Sequence, residues 1–219
     1  MKRVIGVFAH PDDEALGPSG TLAKLAQDHE VYLICVTSGE AAGTTPEEKR
    51  IIGQTRREEV TKAAEILGIK EVFFLGYEDG YLCNNIYHKL AQEIAKKVEL
   101  LRPEILLTFE IRGVSGHIDH ITTSLVTTYV FKKYSFVKKL MYYVTTKKES
   151  DLMQDYFIYF PLGFEKTEVD EIVDITSVWQ KKLKAMHCHK SQINDVERVL
   201  RNKKDLPREE YFLIKTKKE

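Results

Sequence analysis

Residues 10–14 place one imidazole and three carboxylates directly after an apolar run. The run is Val4–Ala9, which reads as a buried strand, and the polar segment is His10–Glu14 (HPDDE). Like charges this close together repel one another and are costly to remove from water. A divalent cation is the simplest group that offsets this cost, so the segment predicts a metal site.

A second cluster, Gly116–His120 (GHIDH), gathers two imidazoles and a carboxylate after the apolar run Ile105–Phe109. Two such clusters at strand ends can supply three protein ligands to one ion. Ligands of the types His, Asp and His leave a fourth position open, which is typical of a catalytic zinc site rather than a structural one.

Strand-like runs alternate with helix-like segments over the first two thirds of the chain. The strand-like runs are continuous and apolar, as in strands covered on both faces; they are Val4–Ala9, Val31–Thr37, Glu71–Gly76, Ile105–Phe109 and Leu140–Val144. The helix-like segments are Leu16–Asp28, Pro46–Leu67, Ile86–Leu101 and Ile118–Lys133. This alternation predicts an α/β fold, a Rossmann-like three-layer αβα sandwich with a mostly parallel sheet.

Doubly wound sheets commonly have the strand order 3-2-1-4-5, in which strands 1 and 4 are neighbours about 4.8 Å apart. Ligands bind beyond the carboxyl ends of the strands, where the strand order reverses. Because His10 follows strand 1 and His117 follows strand 4, the topology predicts that both clusters share one crevice. Dinucleotide binding is disfavoured, because carboxylates stand where glycines normally admit a pyrophosphate.

The pattern changes beyond about residue 145. Residues 156–164 are rich in aromatic side chains, Glu168–Ile175 reads as a late strand, and Thr176–Gln192 reads as a helix. Without a linker or an internal repeat, we expect a single domain over residues 1–219: an α/β part over about 1–145 and an extension over about 146–219. The aromatic stretch is expected to form core or crevice wall, and its role in stacking on a ligand is left open, as is the role of His189.

Composition excludes several other classes of function. Lysine plus arginine and aspartate plus glutamate number 33 each, so a net charge of zero disfavours nucleic acids and membrane surfaces as partners. No run approaches the roughly 18 apolar residues that span a bilayer. The chain enters a strand at once, which predicts no signal peptide, and its three cysteines show no paired spacing. We therefore expect a cytoplasmic protein, and a homo-oligomer is left open.

The two clusters resemble the signatures of the PIG-L/LmbE family of zinc-dependent N-acetylglucosamine deacetylases. Ala9–Glu14 (AHPDDE) resembles the first signature, and Gly116–His120 is similar to the family pattern Gly-His-x-Asp-His. Lesser matches are Thr37–Ala41, Arg56–Glu59, Phe74–Tyr77 and His189–Gln192, so the resemblance spans roughly residues 3 to 192. Ile118 stands where the family often has proline, and Pro18-Ser19 replaces a glycine run; neither departure removes a functional group.

The resemblance implies a role for each polar residue of the clusters. The implied zinc ligands are His10, Asp13 and His120. Asp12 is implied as the general base, and a protonated His117 as the group that stabilises the oxyanion and assists the leaving amine. Asp119 is implied to orient or charge-tune His117, and Arg56 is a weaker candidate for substrate contact. Zinc suits these ligand types, although Fe²⁺ binds similar sets.

The resemblance implies a hydrolase that removes an acetyl group from the amide nitrogen of an N-acetylglucosamine-type sugar or conjugate, a small-molecule substrate. Two alternatives stay open: a deacylase of another small amide, such as an antibiotic or a thiol-sugar conjugate, and a non-catalytic sugar-binding protein that retains the metal site. Asp12 argues against the second, because a binding module has no need of a base. The conjugated group is not determined by these residues.

Overall fold

Seven strands form one sheet in the computed structural model, which describes residues 2–154 and 157–217. The strands are β1 (Lys2–Phe8), β2 (His29–Thr37), β3 (Glu71–Tyr77), β4 (Ile105–Phe109), β5 (Lys139–Val144), β6 (Glu171–Asp174) and β7 (Glu209–Thr216). The helices are α1 (Asp13–Leu16), α2 (Ser19–Leu25), α3 (Pro46–Leu67), α4 (Tyr87–Leu101), α5 (Ile118–Lys133), α6 (Lys147–Asp151), α7 (Trp179–Met186) and α8 (Ile193–Lys203).

The sheet has the order β3-β2-β1-β4-β5-β7-β6, and its first five strands are parallel. β1 lies between β2 and β4, so that Val4 pairs with Val31 on one side and with Ile105 on the other. The strand order therefore reverses next to β1, and the predicted order 3-2-1-4-5 is confirmed. The loops that follow β1 and β4 leave the sheet at the same edge, which is where a parallel sheet binds its ligands.

Successive strand residues point to opposite faces of the sheet, and each face is covered by helices. Val4 and Phe8 of β1 pack with side chains of α2, α3 and α7. Ile5 and Val7 of the same strand pack with side chains of α4 and α5. Both faces of the central strands are thus buried, which confirms the predicted three-layer αβα sandwich.

The helices of the first two thirds follow the sequence pattern closely, with one exception. α3 and α5 have the predicted bounds. The predicted helix Leu16–Asp28 is instead divided into α1 and α2, because Pro18 has no amide hydrogen with which to continue α1. α1 begins at Asp13, so the first cluster lies partly within a helical turn.

The C-terminal third departs further from the prediction. The expected helix Thr176–Gln192 is reduced to α7, with short 3₁₀ turns at residues 176–178 and 190–192. α8 and β7 were not predicted. The apolar patch Tyr211–Ile214 forms the middle of β7, which pairs antiparallel with β5 and with β6 and so covers an edge that β5 would otherwise expose. Among the described residues, no helix is long and apolar enough to cross a membrane.

A buried ion pair ties the C-terminal third to the loop beyond β1. The Nζ atom of Lys182 in α7 lies 2.8 Å from the Glu210 carboxylate in β7, and it also donates to the carbonyl oxygen of Gly17. The same carboxylate accepts the backbone N–H groups of Gly20 at 2.9 Å and Thr21 at 2.7 Å. This network fixes the segment that follows the first polar cluster against α7 and β7.

We expect Lys182→Met to lower the free energy of unfolding by about 3–5 kcal/mol, because the substitution leaves Glu210 as a buried charge without its cation. Urea denaturation followed by circular dichroism measures the change. Lys181→Met, at an exposed neighbouring position, is the matched control and should change stability by less than about 0.5 kcal/mol. Equal stability of the two variants would contradict this account.

Candidate active site

The loop after β1 and the first turn of α5 bring together the three predicted metal ligands. Nδ1 of His10 lies 3.1 Å from Nε2 of His120. The Asp13 carboxylate lies 3.6 Å from the first of these nitrogens and 3.3 Å from the second. Two ligands held tetrahedrally about 2.1 Å from a zinc ion are themselves about 3.4 Å apart. The distance to His10 is from Oδ2 of Asp13 and the distance to His120 is from Oδ1, and each of these separations is close to that between two ligands of one tetrahedral zinc ion.

Hydrogen bonds on the outer side of both imidazoles set their tautomers. Nδ1 of His120 lies 3.0 Å from the carbonyl oxygen of Gly113, and Nε2 of His10 lies 2.9 Å from Oδ1 of Asp79. Both partners are acceptors, so these two outer nitrogens carry hydrogen. The two inner nitrogens then point their lone pairs at each other, which is unfavourable unless a cation, either a proton or a metal ion, lies between them.

Position 113 requires a glycine, because of its backbone conformation and its closeness to His120. Its φ angle is +74°, in the left-handed region, and a Cβ atom there would lie 2.9 Å from Cβ of His120. Only glycine lets the backbone approach this closely and present its carbonyl oxygen to the imidazole. Gly113 therefore sets the orientation of the His120 ring, seven residues further along the chain.

The charges around His10 favour a cation strongly. Burial by itself lowers the pKa of His10, but hydrogen bonds to Asp119 and Asp79 and the charge of Asp13 outweigh burial and raise that pKa to about 10. Burial raises the pKa of Asp13, but His120 and His10 outweigh it and hold that pKa below its usual range. The cluster is thus an anionic pocket that holds either a proton or a divalent ion.

Asp79 is a site residue that the sequence analysis missed. It follows β3, which is separated from β1 by β2, so strand order gave no reason to place it in the crevice. Its carboxylate nevertheless reaches His10, and its side chain is buried. The available signal was an acidic pair, Glu78-Asp79, directly after a strand, which is the pattern that marked the first cluster.

Asp119 contacts a different imidazole from the one predicted. Its carboxylate lies 3.3 Å from Nε2 of His10 and accepts the backbone N–H groups of Gly80 at 2.8 Å and Leu82 at 3.1 Å. The first turn of α5 directs the side chain inward, whereas His117 lies at the N-cap of that helix. The carboxylate therefore does not orient His117 by direct contact: Asp119 contacts that ring through its backbone N–H, at 3.2 Å, while its charge acts to raise the pKa of His117, as the charge-tuning alternative expects.

His117 is held as a neutral imidazole. Its Nδ1 accepts the backbone N–H of Asp119, which leaves the ring hydrogen on Nε2. Burial and the neighbouring His10 and His120 lower the pKa of His117, against the opposing charge of Asp119. This arrangement favours the neutral form over the protonated His117 that the resemblance implies. A ring nitrogen of His117 lies within 4.8 Å of the ring nitrogens of His10 and His120, and the residue lines the cavity described below.

Asp12 has a strained backbone and a carboxylate with an altered pKa. Its φ angle is 140°, a conformation that few residues other than glycine adopt. Oδ2 of Asp12 lies 3.1 Å from Nη2 of Arg56. Burial raises the pKa of Asp12 to about 6, assisted by Asp13 and opposed by Arg56. The group is therefore ionised at neutral pH but more basic than an ordinary aspartate.

Arg56 is buried and engaged by the protein itself. Its guanidinium donates to the carbonyl oxygens of Gly39 at 2.8 Å and Pro11 at 2.9 Å, in addition to its ion pair with Asp12. Gly39 has a φ angle of +66°, and a Cβ atom there would lie 2.4 Å from Cζ of Arg56. The structure thus shows Arg56 fixing the loop that carries Asp12, and its contact with substrate stays a prediction.

A cavity of about 310 Å³ opens over these residues, a size within the range of small-molecule sites. Part of its lining is the polar set already described. Another part is largely apolar and comes from the C-terminal third; it includes Leu152, Met153, Phe157, Phe160 and Val199. The predicted aromatic stretch therefore contributes to the crevice wall, although Tyr156 lies outside the described residues.

A second ion pair that the sequence analysis missed lies in the same lining. Nζ of Lys203, at the end of α8, is 2.7 Å from Oε1 of Glu149 in α6 and 3.4 Å from the hydroxyl of Tyr143. Burial raises the pKa of Glu149, but Lys203 and the hydrogen bonds from Thr146 outweigh burial and lower it. No signal could have placed this pair, because α8 itself was not predicted.

The fold and the site define an α/β protein with a His-Asp-His cluster at the carboxyl ends of its central strands. A family model described as GlcNAc-PI de-N-acetylase (PIG-L) matches residues 5–131, which is more than half of the chain. The chain belongs to the PIG-L family, as the two signatures predicted.

Individual relatives are similar over most of the chain. A probable N-acetyl-α-D-glucosaminyl L-malate deacetylase 2 from Bacillus anthracis is 30% identical, with 87% of this chain and 81% of the relative covered. A 1D-myo-inositol 2-acetamido-2-deoxy-α-D-glucopyranoside deacetylase from Actinosynnema mirum is 26% identical, with 87% and 81% covered. Both names describe enzymes that act on N-acetylglucosamine linked to a polar group.

Solved structures confirm the fold. The N,N'-diacetylchitobiose deacetylase from Pyrococcus horikoshii superposes with a TM-score of 0.70 at 24% identity, covering 98% of this chain and 84% of that one. A 4-carboxy-2-hydroxymuconate hydratase from Pseudomonas putida superposes with a TM-score of 0.75 at 20% identity, covering 100% and 98%. Two such different chemistries on one fold mean that the activity must be argued from the site.

We expect Asp79→Ala to weaken Zn²⁺ binding about 10–100-fold, because His10 loses an acceptor that fixes its tautomer and ring orientation. Competition with a chromophoric chelator measures the dissociation constant. Glu78→Ala removes the adjacent, exposed carboxylate and is the matched control. Unchanged zinc affinity in Asp79→Ala would contradict the assignment of Asp79 to the site.

Proposed function

We propose that this protein is a zinc-dependent N-deacetylase that removes the acetyl group from an N-acetylglucosamine-type sugar conjugate. The observation that carries the proposal is the convergence of three side chains from two distant segments: the facing nitrogens of His10 and His120 lie 3.1 Å apart, and each lies 3.3–3.6 Å from one oxygen of the Asp13 carboxylate. A basic carboxylate, Asp12, and a neutral imidazole, His117, line the same cavity. A sugar-binding module would need none of this chemistry.

His10, Asp13 and His120 would hold the divalent ion. Zinc suits two imidazoles and one carboxylate with a free position, and Fe²⁺ is the alternative for the same set. When bound, such an ion activates water and polarises an amide carbonyl as a Lewis acid. The outer hydrogen bonds to Gly113 and Asp79 occupy one nitrogen of each ring, so the two inner nitrogens are the ones that would bind the ion in place of a proton.

Asp12 would act as the general base. Oδ2 is held by Arg56, which leaves Oδ1 to accept a proton from the attacking water. With its pKa raised toward 6 by burial, the carboxylate is ionised at pH 7 and still basic enough for proton transfer. The proton held on Asp12 then passes to the departing nitrogen, so that amide and water yield acetate and a free amine.

His117 would stabilise the oxyanion as a hydrogen-bond donor. Because Nδ1 is occupied by the N–H of Asp119, its Nε2–H is the group available to the acetyl oxygen as negative charge develops there. A neutral donor does not need to be reprotonated between turnovers. In this arrangement the proton for the leaving amine comes from Asp12, whereas the sequence analysis assigned it to His117.

The named relatives support the class of substrate. Their substrates share an N-acetylglucosamine unit and differ in the attached group, which is inositol in one and malate in the other. The cavity of about 310 Å³ offers polar groups where the acetamide would react and an apolar wall further out. A small-molecule glycoside of N-acetylglucosamine fits both features. Arg56 also lines the cavity and would be a further contact for the substrate.

Amine release tests the function directly. The zinc-loaded protein is incubated with N-acetylglucosaminyl malate, N-acetylglucosaminyl inositol, diacetylchitobiose and a cysteinyl thiol-sugar conjugate, and free amine is measured with and without a chelator. We expect release from at least one of the three acetylated sugars, loss of release with the chelator, and recovery on adding Zn²⁺. Release from the thiol conjugate alone would favour the alternative deacylase, and binding without release would favour a sugar-binding protein.

We expect Asp12→Asn to lower kcat by about 10²–10⁴-fold while zinc content is unchanged, because the base is lost and the ligands remain. His120→Ala should instead lose zinc, and with it the rise in melting temperature that excess Zn²⁺ gives the wild type. Metal analysis, calorimetry and amine release separate the two effects. His88→Ala, an exposed histidine outside the site, is the control; activity of Asp12→Asn equal to that of this control would refute the base assignment.

A further inference from the structure

The backbone of Asp12 is held in its unusual conformation by the side chain of a neighbour. The N–H of Asp12 donates to Oε2 of Glu14 at 3.1 Å, and Glu14 is 1% exposed. A residue other than glycine with a φ angle of 140° persists only where its surroundings impose that angle. The Glu14 carboxylate is one such constraint, because it fixes the direction of this amide.

Glu14 is itself held by a histidine from the far end of the fold. Its second oxygen, Oε1, lies 2.9 Å from Nε2 of His189, which is 0% exposed. Nδ1 of His189 has no hydrogen-bond partner among the described residues, so the ring makes its hydrogen bond to Glu14 alone. The ring is thus used for one purpose, to bind this carboxylate.

The loop that carries His189 is fixed to α3. The backbone N–H and the hydroxyl of Ser191 donate to the Glu59 carboxylate at 2.8 and 2.6 Å. Glu59 lies three residues after Arg56 and so on the same face of α3. Arg56 holds the carboxylate of Asp12, and Glu59, acting through Ser191, His189 and Glu14, holds its amide. α3 therefore fixes both the side-chain carboxylate and the backbone amide of Asp12.

A buried pair of this kind adds little stability in itself, since an apolar pair of equal volume is often as stable or more so. What the pair does impose is a direction for the amide of Asp12, and hence for the carboxylate three bonds away. We propose that Glu14 and His189 are positioning residues that aim the Asp12 carboxylate at the water it deprotonates. This inference rests on the proposed deacetylase function, in which Asp12 is the base.

The test compares His189→Leu, which cannot bind Glu14, with His189→Gln, whose amide N–H occupies nearly the place of Nε2. We expect His189→Leu to lower kcat by about 10–100-fold, with KM and zinc affinity unchanged. His189→Gln should recover most of that loss. His187→Leu, at an exposed position two residues earlier, is the matched control and should behave as the wild type.

A second readout requires neither metal nor substrate. Amide hydrogen exchange in the zinc-free protein reports the hydrogen bond between Asp12 and Glu14, and we expect the Asp12 amide to exchange faster in His189→Leu but not in His189→Gln. If the wild type proves inactive on every substrate, the proposed function fails, and this readout still decides whether His189 positions Asp12.

Three results would overturn the inference. The first is a wild-type kcat in a folded His189→Leu. The second is a loss of zinc affinity or a rise in KM that accounts for the whole defect. The third is unchanged exchange of the Asp12 amide. Should His189→Leu fail to fold, Ser191→Ala, which removes one of the two hydrogen bonds to Glu59, gives a milder version of the same comparison with the same deciding results.

Discussion

The negative charge gathered around one imidazole is the constraint on which the site depends. Asp13, Asp79 and Asp119 all lie within 3.6 Å of His10, in surroundings that exclude most of the water. Carboxylates so placed repel one another unless a cation joins them. These acids come from three segments of the chain: the start of α1, the loop after β3 and the first turn of α5. A divalent ion held by His10, Asp13 and His120 would link the first and third of these segments as well as supply the chemistry.

A second constraint is the strain at Asp12, which lies next to a ligand in sequence but serves a different purpose. With this backbone conformation, its carboxylate lies 3.1 Å from the guanidinium of Arg56. Such a conformation is costly for a residue with a side chain, so the surrounding structure must impose it. α3 helps to impose it through two charged residues near its middle, Arg56 and Glu59, which are buried although much of the helix surface is charged and exposed.

The C-terminal third completes the site, and its His189 reaches the first polar cluster at Glu14. β7 and α7 fix the loop beyond β1 through the ion pair of Lys182 and Glu210, and α6 and α8 supply part of the apolar wall of the cavity. The polar cluster thus comes from the parallel half of the sheet, and the apolar part of the cavity lining comes from the extension.

The sequence by itself determined the features that depend on local pattern. Continuous apolar runs and long helix-like segments specified β1 to β5, α3 and α5, and the strand order then brought His10 and His120 together, because parallel strands end at one edge. Only the tertiary structure decided which carboxylate meets which imidazole. Asp119 contacts His10, Asp79 arrives from a distant strand, and Arg56 binds Asp12. These pairings depend on side-chain direction and on loop paths, for which a linear pattern carries no signal.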